Sequence, residues 1–456
     1  MTFAGCWPQN PHDIPATTAA SFLLLLGPSV RTRMSTKKKR EKSTSPERAK
    51  KTVATATTEV ASSTSMARYG LRALLIVVAL YSAYQIRLHA LTVYGNVIHE
   101  FDPWFNYRAT VYLRDHGMEK FFKWYDHKVW YPLGRPVGTT IYPGMQLTSV
   151  FIYNSLESLG YPMSLNDVCC YVPAWFGVLA TAFLGMLAYE CTGNADMGAV
   201  ASLIMSVVPA HLMRSVGGGY DNESIAMTAM CATFYFWCRS LRGGPNSLAW
   251  LWGVVSGIAY IYMVAAWGGY IFVLNMIAFH ALALVALGKW TPKLHRAYTL
   301  FYVIGTYGAI QVPVVGLTPL KSLEQLGALG VFGIIQLMWI SALVQRMQDP
   351  NNKFTKEQVM KVRACVFGGA ALVAGMFVSV LAGRGYFGPL SSRVRGLFVQ
   401  HTRTGNPLVG AWMAFSLLFT YFVPYFVYTP FEMLTSFFSL FLFLFFNFLM
   451  CARWTV

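Results

Sequence analysis

Charged residues are scarce in this sequence. They make up 12% of its 456 residues, whereas hydrophobic residues make up 55%. Soluble domains carry about a quarter charged residues, so this composition excludes an ordinary soluble fold. Several apolar stretches reach the length of about 20 residues that a helix needs to cross a bilayer. The sequence therefore predicts a polytopic membrane protein with most of its residues in the bilayer.

Two further patterns are missing. The apolar stretches do not alternate with polar residues, as the strands of a membrane barrel do, and this favours an all-α fold of membrane helices. The eight cysteines show no metal-binding spacing. Cys169, Cys170, Cys231 and Cys238 lie in apolar stretches and are interpreted as small core residues.

Positive charge is concentrated near the N-terminus. The net charge is +17, and eight Lys or Arg residues lie between positions 37 and 51, separated by Ser, Thr and other small residues. Such a run is compatible with nucleic-acid binding, but beside a membrane span it is more typical of a cytoplasmic anchor. We therefore predict that residues 1–70 form a disordered, basic cytoplasmic tail and that the protein has no nucleic-acid partner.

Apolar segments predict the membrane topology up to residue 384. Nine spans are predicted, at 71–91, 168–189, 196–213, 224–241, 247–265, 269–288, 297–316, 326–345 and 362–383. With a cytoplasmic tail, the connections rich in Lys and Arg between later spans fall on the cytoplasmic side, as the positive-inside rule requires. The predicted multi-span domain covers residues 71–409, and an atypical, Phe-rich hydrophobic segment follows at 410–456.

Two loops are predicted on the outer side. The loop at 92–167 is rich in Trp, Tyr and Pro, which is typical of interfacial helices. The loop at 384–409 contains Arg393 and Arg395 on the side where basic residues are normally rare. One interpretation is a binding site for a lipid diphosphate, since Arg suits phosphate geometry. The other is contact with lipid headgroups.

Carboxylates are rare, which makes their positions informative. Asp102 lies just after the first span, and Asp221 and Glu223 lie where the third span passes into the fourth. The topology places all three at one depth on the outer side. Hard divalent cations prefer such oxygen ligands, and a charge at the membrane edge is costly unless paired or metal-bound.

Each carboxylate also has a purely structural interpretation. Asp221 is suited to cap the following helix, with Glu223 in its first turn. Asp102 followed by Pro103 is typical of an ordinary turn. Asn222-Glu223-Ser224 matches a glycosylation acceptor pattern, but it lies too near a helix start to favour that use.

Three segments closely resemble motifs of the catalytic subunit of eukaryotic oligosaccharyltransferase. They are Glu100-Phe101-Asp102-Pro103-Trp104-Phe105-Asn106-Tyr107-Arg108, then Arg214-Ser215-Val216-Gly217-Gly218-Gly219-Tyr220-Asp221-Asn222-Glu223, and Ala266-Trp267-Gly268-Gly269-Tyr270. Residues 388–393 and 401–407 resemble the kinetoplastid branch of that family. The resemblance covers about residues 71–409, and its first two motifs are long and specific.

The resemblance implies a fold, a location and partners. The fold is the membrane domain of lipid-donor (GT-C type) glycosyltransferases, and we expect the chain to lack the family's C-terminal lumenal domain. The implied location is the endoplasmic reticulum membrane, with the active-site loops facing the lumen. The implied partners are a dolichyl-diphosphate-linked oligosaccharide, a polypeptide with Asn-X-Ser/Thr, membrane lipids and other transferase subunits. The implied reaction transfers the oligosaccharide to that Asn.

The resemblance also implies roles for single residues. Asp102 corresponds to a metal ligand that also contacts the acceptor amide. Asp221 and Glu223 correspond to further ligands of Mn²⁺ or Mg²⁺, and Arg214 to a basic position important for activity. A metal would stabilise the charge that develops on the leaving diphosphate.

Two family motifs do not occur where the resemblance predicts them. The family has Ser-Val-x-Glu soon after the stretch matching 406–409, where this chain reads Gly410-Ala411-Trp412. The family also has a Trp-Trp-Asp-Tyr-Gly motif that recognises the acceptor Ser or Thr, and this sequence contains no Trp-Trp pair. We therefore expect the isolated chain to bind a divalent metal poorly and to transfer little glycan. One alternative is a catalytically inactive relative that binds the lipid-linked donor. A transporter ranks last, because the carboxylates cluster at the outer rim and no repeat is evident.

Overall fold

The structure of this protein is a computed structural model, and it describes residues 46–244, 247–348 and 355–387. The chain forms two compact units, Met1–Thr64 and Ser65–Val456. In the first unit the described residues, 46–64, belong to a helix. The second unit contains the other helices and the candidate site.

Every regular secondary-structure element within the described ranges is a helix. In chain order they are α1 (Pro46–Tyr94), α2 (Phe101–Phe122), α3 (Val137–Thr140), α4 (Gly144–Ser158), α5 (Leu165–Thr192), α6 (Ala195–Val207), α7 (Pro209–Leu212), α8 (Asn222–Leu241), α9 (Trp252–Ala266), α10 (Tyr270–Ala286), α11 (Pro292–Gln311), α12 (Thr318–Lys321), α13 (Leu323–Gln348) and α14 (Lys356–Gly383). A 3₁₀ turn, Leu248–Leu251, leads into α9. The predicted all-α fold is confirmed.

Each predicted span overlaps a helix, although the span predicted at 196–213 covers two short helices, α6 and α7. Five segments of the described chain are long and apolar enough to cross a membrane: Met66–Tyr94, Leu165–Thr192, Leu248–Ala266, Leu323–Gln348 and Glu357–Gly383. Two shorter apolar helices, α6 and α10, lie among them.

Two predicted boundaries differ from the bounds of the described helices. Helix α1 begins at Pro46, so residues 46–70 of the predicted disordered tail are helical. Proline is well suited to the first turn of a helix, and the Ala, Glu, Lys and Arg residues that follow are good helix formers. The span predicted at 196–213 is interrupted at Val208, which is extended with ψ 121° because Pro209 follows it.

The outer loop at 92–167 is a folded layer. It contains α2, α3 and α4, and α4 packs against α5 and α9 while α2 packs against α4. A small apolar cluster joins these helices, formed by Ala109, Leu113, Phe121, Val137 and Ile141. The loop is thereby packed against the helix bundle through α4.

Helix α8 lies at the centre of the bundle. Its most extensive contacts are with α5 and α9, and α9 packs in turn against α11. Trp237 on α8 is fully buried and donates its indole N–H to His280 Nδ1 at 3.0 Å. The start of α8, which carries the candidate carboxylates, is therefore fixed by a well-packed helix.

Arg87 on α1 is fully buried within the bundle. Its Nε donates to Ser215 Oγ at 2.8 Å, and its Nη1 donates to the carbonyl oxygens of Ala83 at 2.8 Å and Ser206 at 3.2 Å. Gly177 on α5 makes room for the guanidinium, because a Cβ at that position would collide with it. A buried charge in a membrane protein needs such polar partners. Arg87 therefore ties α1 to residues 206–215.

Candidate active site

The Asp221 turn is built by three glycines that pack against other parts of the chain. Gly217 N donates to the carbonyl oxygen of Arg87 on α1 at 2.8 Å, and Gly218 N donates to that of Cys170 on α5 at 3.0 Å. The carbonyl oxygen of Gly218 accepts from His99 N at 3.0 Å. Backbone hydrogen bonds thus join the turn to α1, to α5 and to the segment that leads into α2.

Close packing explains why glycine occupies these positions. Gly218 has φ +84°, and a Cβ there would lie 2.5 Å from the carbonyl oxygen of Val97. At Gly217 a Cβ would lie 2.7 Å from Leu91 Cγ. A side chain at Gly218 would meet both steric overlap and an unfavourable backbone conformation. The glycines allow the turn to lie directly against the end of α1.

Two predicted site carboxylates are brought together at the start of α8. Asp221 is the N-cap, and its Oδ1 accepts from Asn222 N at 2.8 Å. Burial raises the pKa of Glu223 to about 7, and its hydrogen bond to Asp221 and the charge of that carboxylate act in the same direction. The positive charge of Arg214 lowers this pKa. Glu223, at the N-terminus of α8, therefore takes up a proton at a higher pH than an ordinary glutamate.

Asp102 lies in the first turn of α2 and is exposed. Glu100, the N-cap of α2, has φ 65°, in the left-handed region that non-glycine residues rarely adopt. No three His, Cys, Asp or Glu side chains of the described residues lie close enough together to hold one metal ion. Asp102 therefore does not form a three-carboxylate group with Asp221 and Glu223 in this structure.

The predicted basic residues divide into two sets. Arg214 follows α7, is exposed, and lies near enough to Glu223 to affect its pKa. Its neighbour Ser215 is held by the carbonyl oxygen of His211, to which it donates at 2.6 Å. Arg393 and Arg395 lie outside the described residues.

A cavity of about 720 Å³ lies beside Asp102. It is lined by aromatic, aliphatic and charged side chains: Phe101, Asp102, Trp104, Phe105, Tyr107, Arg108, Val111, Val129, Trp130 and Arg135. Most of these residues belong to α2. The cavity therefore brings one carboxylate together with a mainly apolar wall.

Arg108 and Asp126 hold one wall of this cavity. Arg108 donates from Nε to Asp126 Oδ2 at 2.6 Å and from Nη2 to Oδ1 at 3.1 Å. Burial raises the pKa of Asp126, but hydrogen bonds from Arg108 and the Lys128 amide outweigh that effect and leave the pKa lowered. The backbones of Asp126 and Arg135 pair through two hydrogen bonds of 2.9 Å. The segment 126–135 is thereby attached to α2.

The sequence did not reveal every residue at this site. Asn106 is buried and contacts Asp221, and Gln146 is buried and contacts Asn106, but the sequence analysis assigns a site role to neither. Asn106 lies inside the first motif, one turn after Asp102, so its spacing was a usable signal. Gln146 is one of several polar residues of α4 and belongs to none of the motifs, so the sequence carries no comparable signal for it.

Comparison with solved structures gives the fold class. The archaeal oligosaccharyltransferase AglB from Archaeoglobus fulgidus, solved with an inhibitory peptide and a dolichol-phosphate, matches with a TM-score of 0.50 and 16% identity, over 78% of this chain and 44% of that one. The same protein solved with Zn and sulfate matches with a TM-score of 0.51 and 16% identity, over 83% and 48%. This chain therefore has the helical membrane fold of the GT-C type glycosyltransferases.

Sequence comparison then gives the family. The model of "Oligosaccharyl transferase STT3, N-terminal" matches residues 71–453, and the chain belongs to this family. The match extends past Val409, where the resemblance of single motifs ended. The Caenorhabditis elegans glycosyltransferase subunit stt-3 is 38% identical over 75% of this chain and 44% of its own length. The chain spans less than half the length of the curated relatives it matches.

Proposed function

We propose that this chain is the membrane part of an oligosaccharyltransferase catalytic subunit. It would transfer an oligosaccharide from dolichyl diphosphate to the Asn of Asn-X-Ser/Thr in a polypeptide. The observation that carries the proposal is the Asp221–Glu223 pair, fixed at the start of α8 on a turn that is hydrogen-bonded to the segment leading into α2. Family membership supports the same reaction.

The acceptor chemistry fits the residues on α2. An amide nitrogen is a poor nucleophile because its lone pair is delocalised into the carbonyl group. Asp102 is exposed beside a cavity of about 720 Å³, so it is available to accept a hydrogen bond from the side-chain amide of an acceptor Asn. Such a contact would hold the nitrogen in place and oppose its delocalisation. The apolar cavity wall would exclude water from the nucleophile.

A divalent cation, Mn²⁺ or Mg²⁺, is proposed at the Asp221–Glu223 pair. Hard cations prefer oxygen ligands, and a cation would take the place of the proton that Glu223 holds with its raised pKa. The neighbouring Asn222 Oδ1 is buried with no hydrogen-bond partner among the described residues, which adds a neutral oxygen at the same turn. When bound, the metal would neutralise charge on the leaving diphosphate. Asp102 would become a third carboxylate ligand only if α2 moved closer to Asp221 when the metal binds.

Basic residues are proposed to hold the lipid diphosphate. Arg214 is exposed next to the carboxylate pair, and Arg393 and Arg395 follow on a loop predicted on the same side. Guanidinium groups bind phosphate oxygens through paired hydrogen bonds. We assign these three residues to the diphosphate, with lipid headgroups as the alternative ligand of Arg393 and Arg395.

The location is also proposed from the family. We infer that the chain lies in the endoplasmic reticulum membrane, with a cytoplasmic N-terminus, lumenal site loops and other transferase subunits as neighbours. Single cysteines at the exposed positions 95 and 213 should then be labelled from the same side of sealed microsomes. Labelling from opposite sides would contradict the orientation.

The function is tested by two measurements on the whole chain in lipid nanodiscs. One is glycopeptide formation from a dolichyl-diphosphate oligosaccharide and a labelled Asn-X-Thr peptide with Mn²⁺. The other is equilibrium binding of the donor. Because the isolated chain is expected to transfer little glycan, slow transfer that is lost in Asp221→Asn and Glu223→Gln, but kept in the distant control Glu119→Gln, supports the proposal. Donor binding without transfer supports the second candidate, an inactive relative, and absence of both contradicts the two.

A further inference from the structure

Two buried amide side chains form a hydrogen-bonded chain that ends at Asp221. Gln146 on α4 donates from Nε2 to Asn106 Oδ1 at 3.1 Å. Asn106 on α2 donates from Nδ2 to the carbonyl oxygen of Tyr220 at 3.2 Å and to Asp221 Oδ1 at 3.5 Å. Gln146 is fully buried and Asn106 is 4% exposed. The chain therefore runs from two buried amides on α4 and α2 to the half-buried carboxylate of Asp221.

The direction of these hydrogen bonds has a consequence for Asp221. An amide presents N–H donors on one side and an oxygen acceptor on the other. Because Gln146 donates to the oxygen of Asn106, the NH₂ group of Asn106 must face Tyr220 and Asp221. A reversed Asn106 would place its oxygen against a carbonyl and a carboxylate, and buried like-charged oxygens repel strongly. Gln146 thus selects the orientation of Asn106 that attracts the Asp221 carboxylate.

A second set of hydrogen bonds runs parallel to the amides. Thr110 Oγ1, one turn further along α2, lies 2.9 Å from the hydroxyl of Tyr220, which donates to Ser149 Oγ on α4 at 2.6 Å. This set joins the same three elements but does not contact a candidate site carboxylate. It supplies a matched control, because breaking it should loosen the fold without changing the surroundings of Asp221.

We propose that Asn106 and Gln146 are positioning residues of the carboxylate site. Asn106 holds the Asp221 carboxylate toward α2 and, since it lies one helical turn after Asp102, also sets the approach of Asp102 to that carboxylate. Gln146 acts only through Asn106. This inference rests on the proposed function, in which Asp221 binds a divalent cation. Partners of metal ligands outside the coordination sphere typically change metal affinity by about 10- to 100-fold.

The test is a double-mutant cycle on Mn²⁺ affinity, measured by calorimetry on the whole chain in nanodiscs. Asn106→Leu and Gln146→Met remove the hydrogen bonds while keeping the side-chain volume. Each should weaken Mn²⁺ binding about tenfold or more. The double variant should bind no more weakly than Asn106→Leu, because Gln146 has no separate route to Asp221. Ser149→Ala, the control from the parallel set, should lower thermal stability and leave the affinity unchanged.

The opposite results overturn the proposal. Unchanged affinity in Gln146→Met, or additive losses in the double variant, would show that the amides only fill buried space. A wild-type chain that binds no Mn²⁺ would contradict the metal site of the proposed function instead. The positioning role is then decided by the distance between two spin labels, attached to cysteines introduced at the exposed positions 115 and 213. The exposed native cysteines are replaced first. A distance distribution that Gln146→Met broadens and Ser149→Ala does not supports the role, and an unchanged distribution refutes it.

Discussion

Replacing Gly218 with alanine tests how tightly the carboxylate turn is packed. The backbone conformation at φ +84° costs an alanine about 1–2 kcal/mol. The added Cβ would also lie 2.5 Å from the carbonyl oxygen of Val97 and 2.7 Å from His99 Cδ2, so the turn has to move. That movement strains two hydrogen bonds, one from His99 N to the Gly218 carbonyl oxygen and one from Gly218 N to the Cys170 carbonyl oxygen. Each contributes about 1 kcal/mol. We expect a total loss of about 2–4 kcal/mol in unfolding free energy.

Gly160→Ala is the matched control. Gly160 has nearly the same backbone conformation, φ +79°, but nothing lies within 4 Å of the position of its Cβ. Its substitution should cost only the conformational part, about 1–2 kcal/mol, less the entropy lost by the unfolded chain. Unfolding in detergent by heat and by denaturant, monitored by tryptophan fluorescence, gives the change in unfolding free energy for each of the two variants. Equal destabilisation by the two substitutions would refute the argument that the turn is closely packed.

Three further predictions concern charge. Asp126→Asn should lower the unfolding free energy by about 1–3 kcal/mol, because a carboxylate whose side chain is only 2% exposed loses its charge-assisted hydrogen bonds. The control is Glu119→Gln, whose side chain is 86% exposed, and an equal loss of unfolding free energy there would exclude burial as the cause. Without divalent cations, stability should fall as the pH rises from the ordinary Glu value of 4.5 to the folded pKa of about 7, since only the folded chain keeps the Glu223 proton in that range. Glu223→Gln should flatten this profile of melting temperature against pH, and a flat wild-type profile would contradict it. Replacing Arg393 and Arg395 together with Gln should weaken binding of a dolichyl-diphosphate analogue about tenfold, and unchanged affinity would favour the headgroup interpretation.

Local features of the site were predictable from the sequence. Asp221 caps α8, and Glu223 lies in its first turn, because capping depends on residues close in sequence. The pairing of the first outer loop with the glycine turn followed from counting spans, and the hydrogen bond from His99 N to the Gly218 oxygen at 3.0 Å agrees with it. These properties need only local chemistry and the bilayer.

Features that depend on tertiary packing were not predictable. Pro209 was a local signal for the interruption of the third span at Val208. The segment 196–213 is apolar on average, however, and this average predicted one continuous span. The position of Asp102 relative to Asp221 depends on how α2 rests on α4, and no periodicity specifies that contact. Gln146 differs from its apolar neighbours Met145 and Leu147 only in its amide. Its hydrogen bond to Asn106 depends on how α4 packs against α2, which the sequence does not specify.

Arg87 has a consequence for biosynthesis. Of its three hydrogen-bond acceptors, Ala83 belongs to the same helix, whereas Ser206 and Ser215 are made 119 and 128 residues later. An arginine at the centre of an inserting helix costs about 2.5–3.5 kcal/mol, and one nearer the end of a span, as Arg87 is, costs less because it reaches the headgroups. We expect the first span to enter the membrane before its two distant acceptors exist, with the guanidinium bonded to Ala83 and directed toward the headgroups. Final placement of the first helix then depends on the synthesis of residues 206–215, which lead into the turn that carries Asp221.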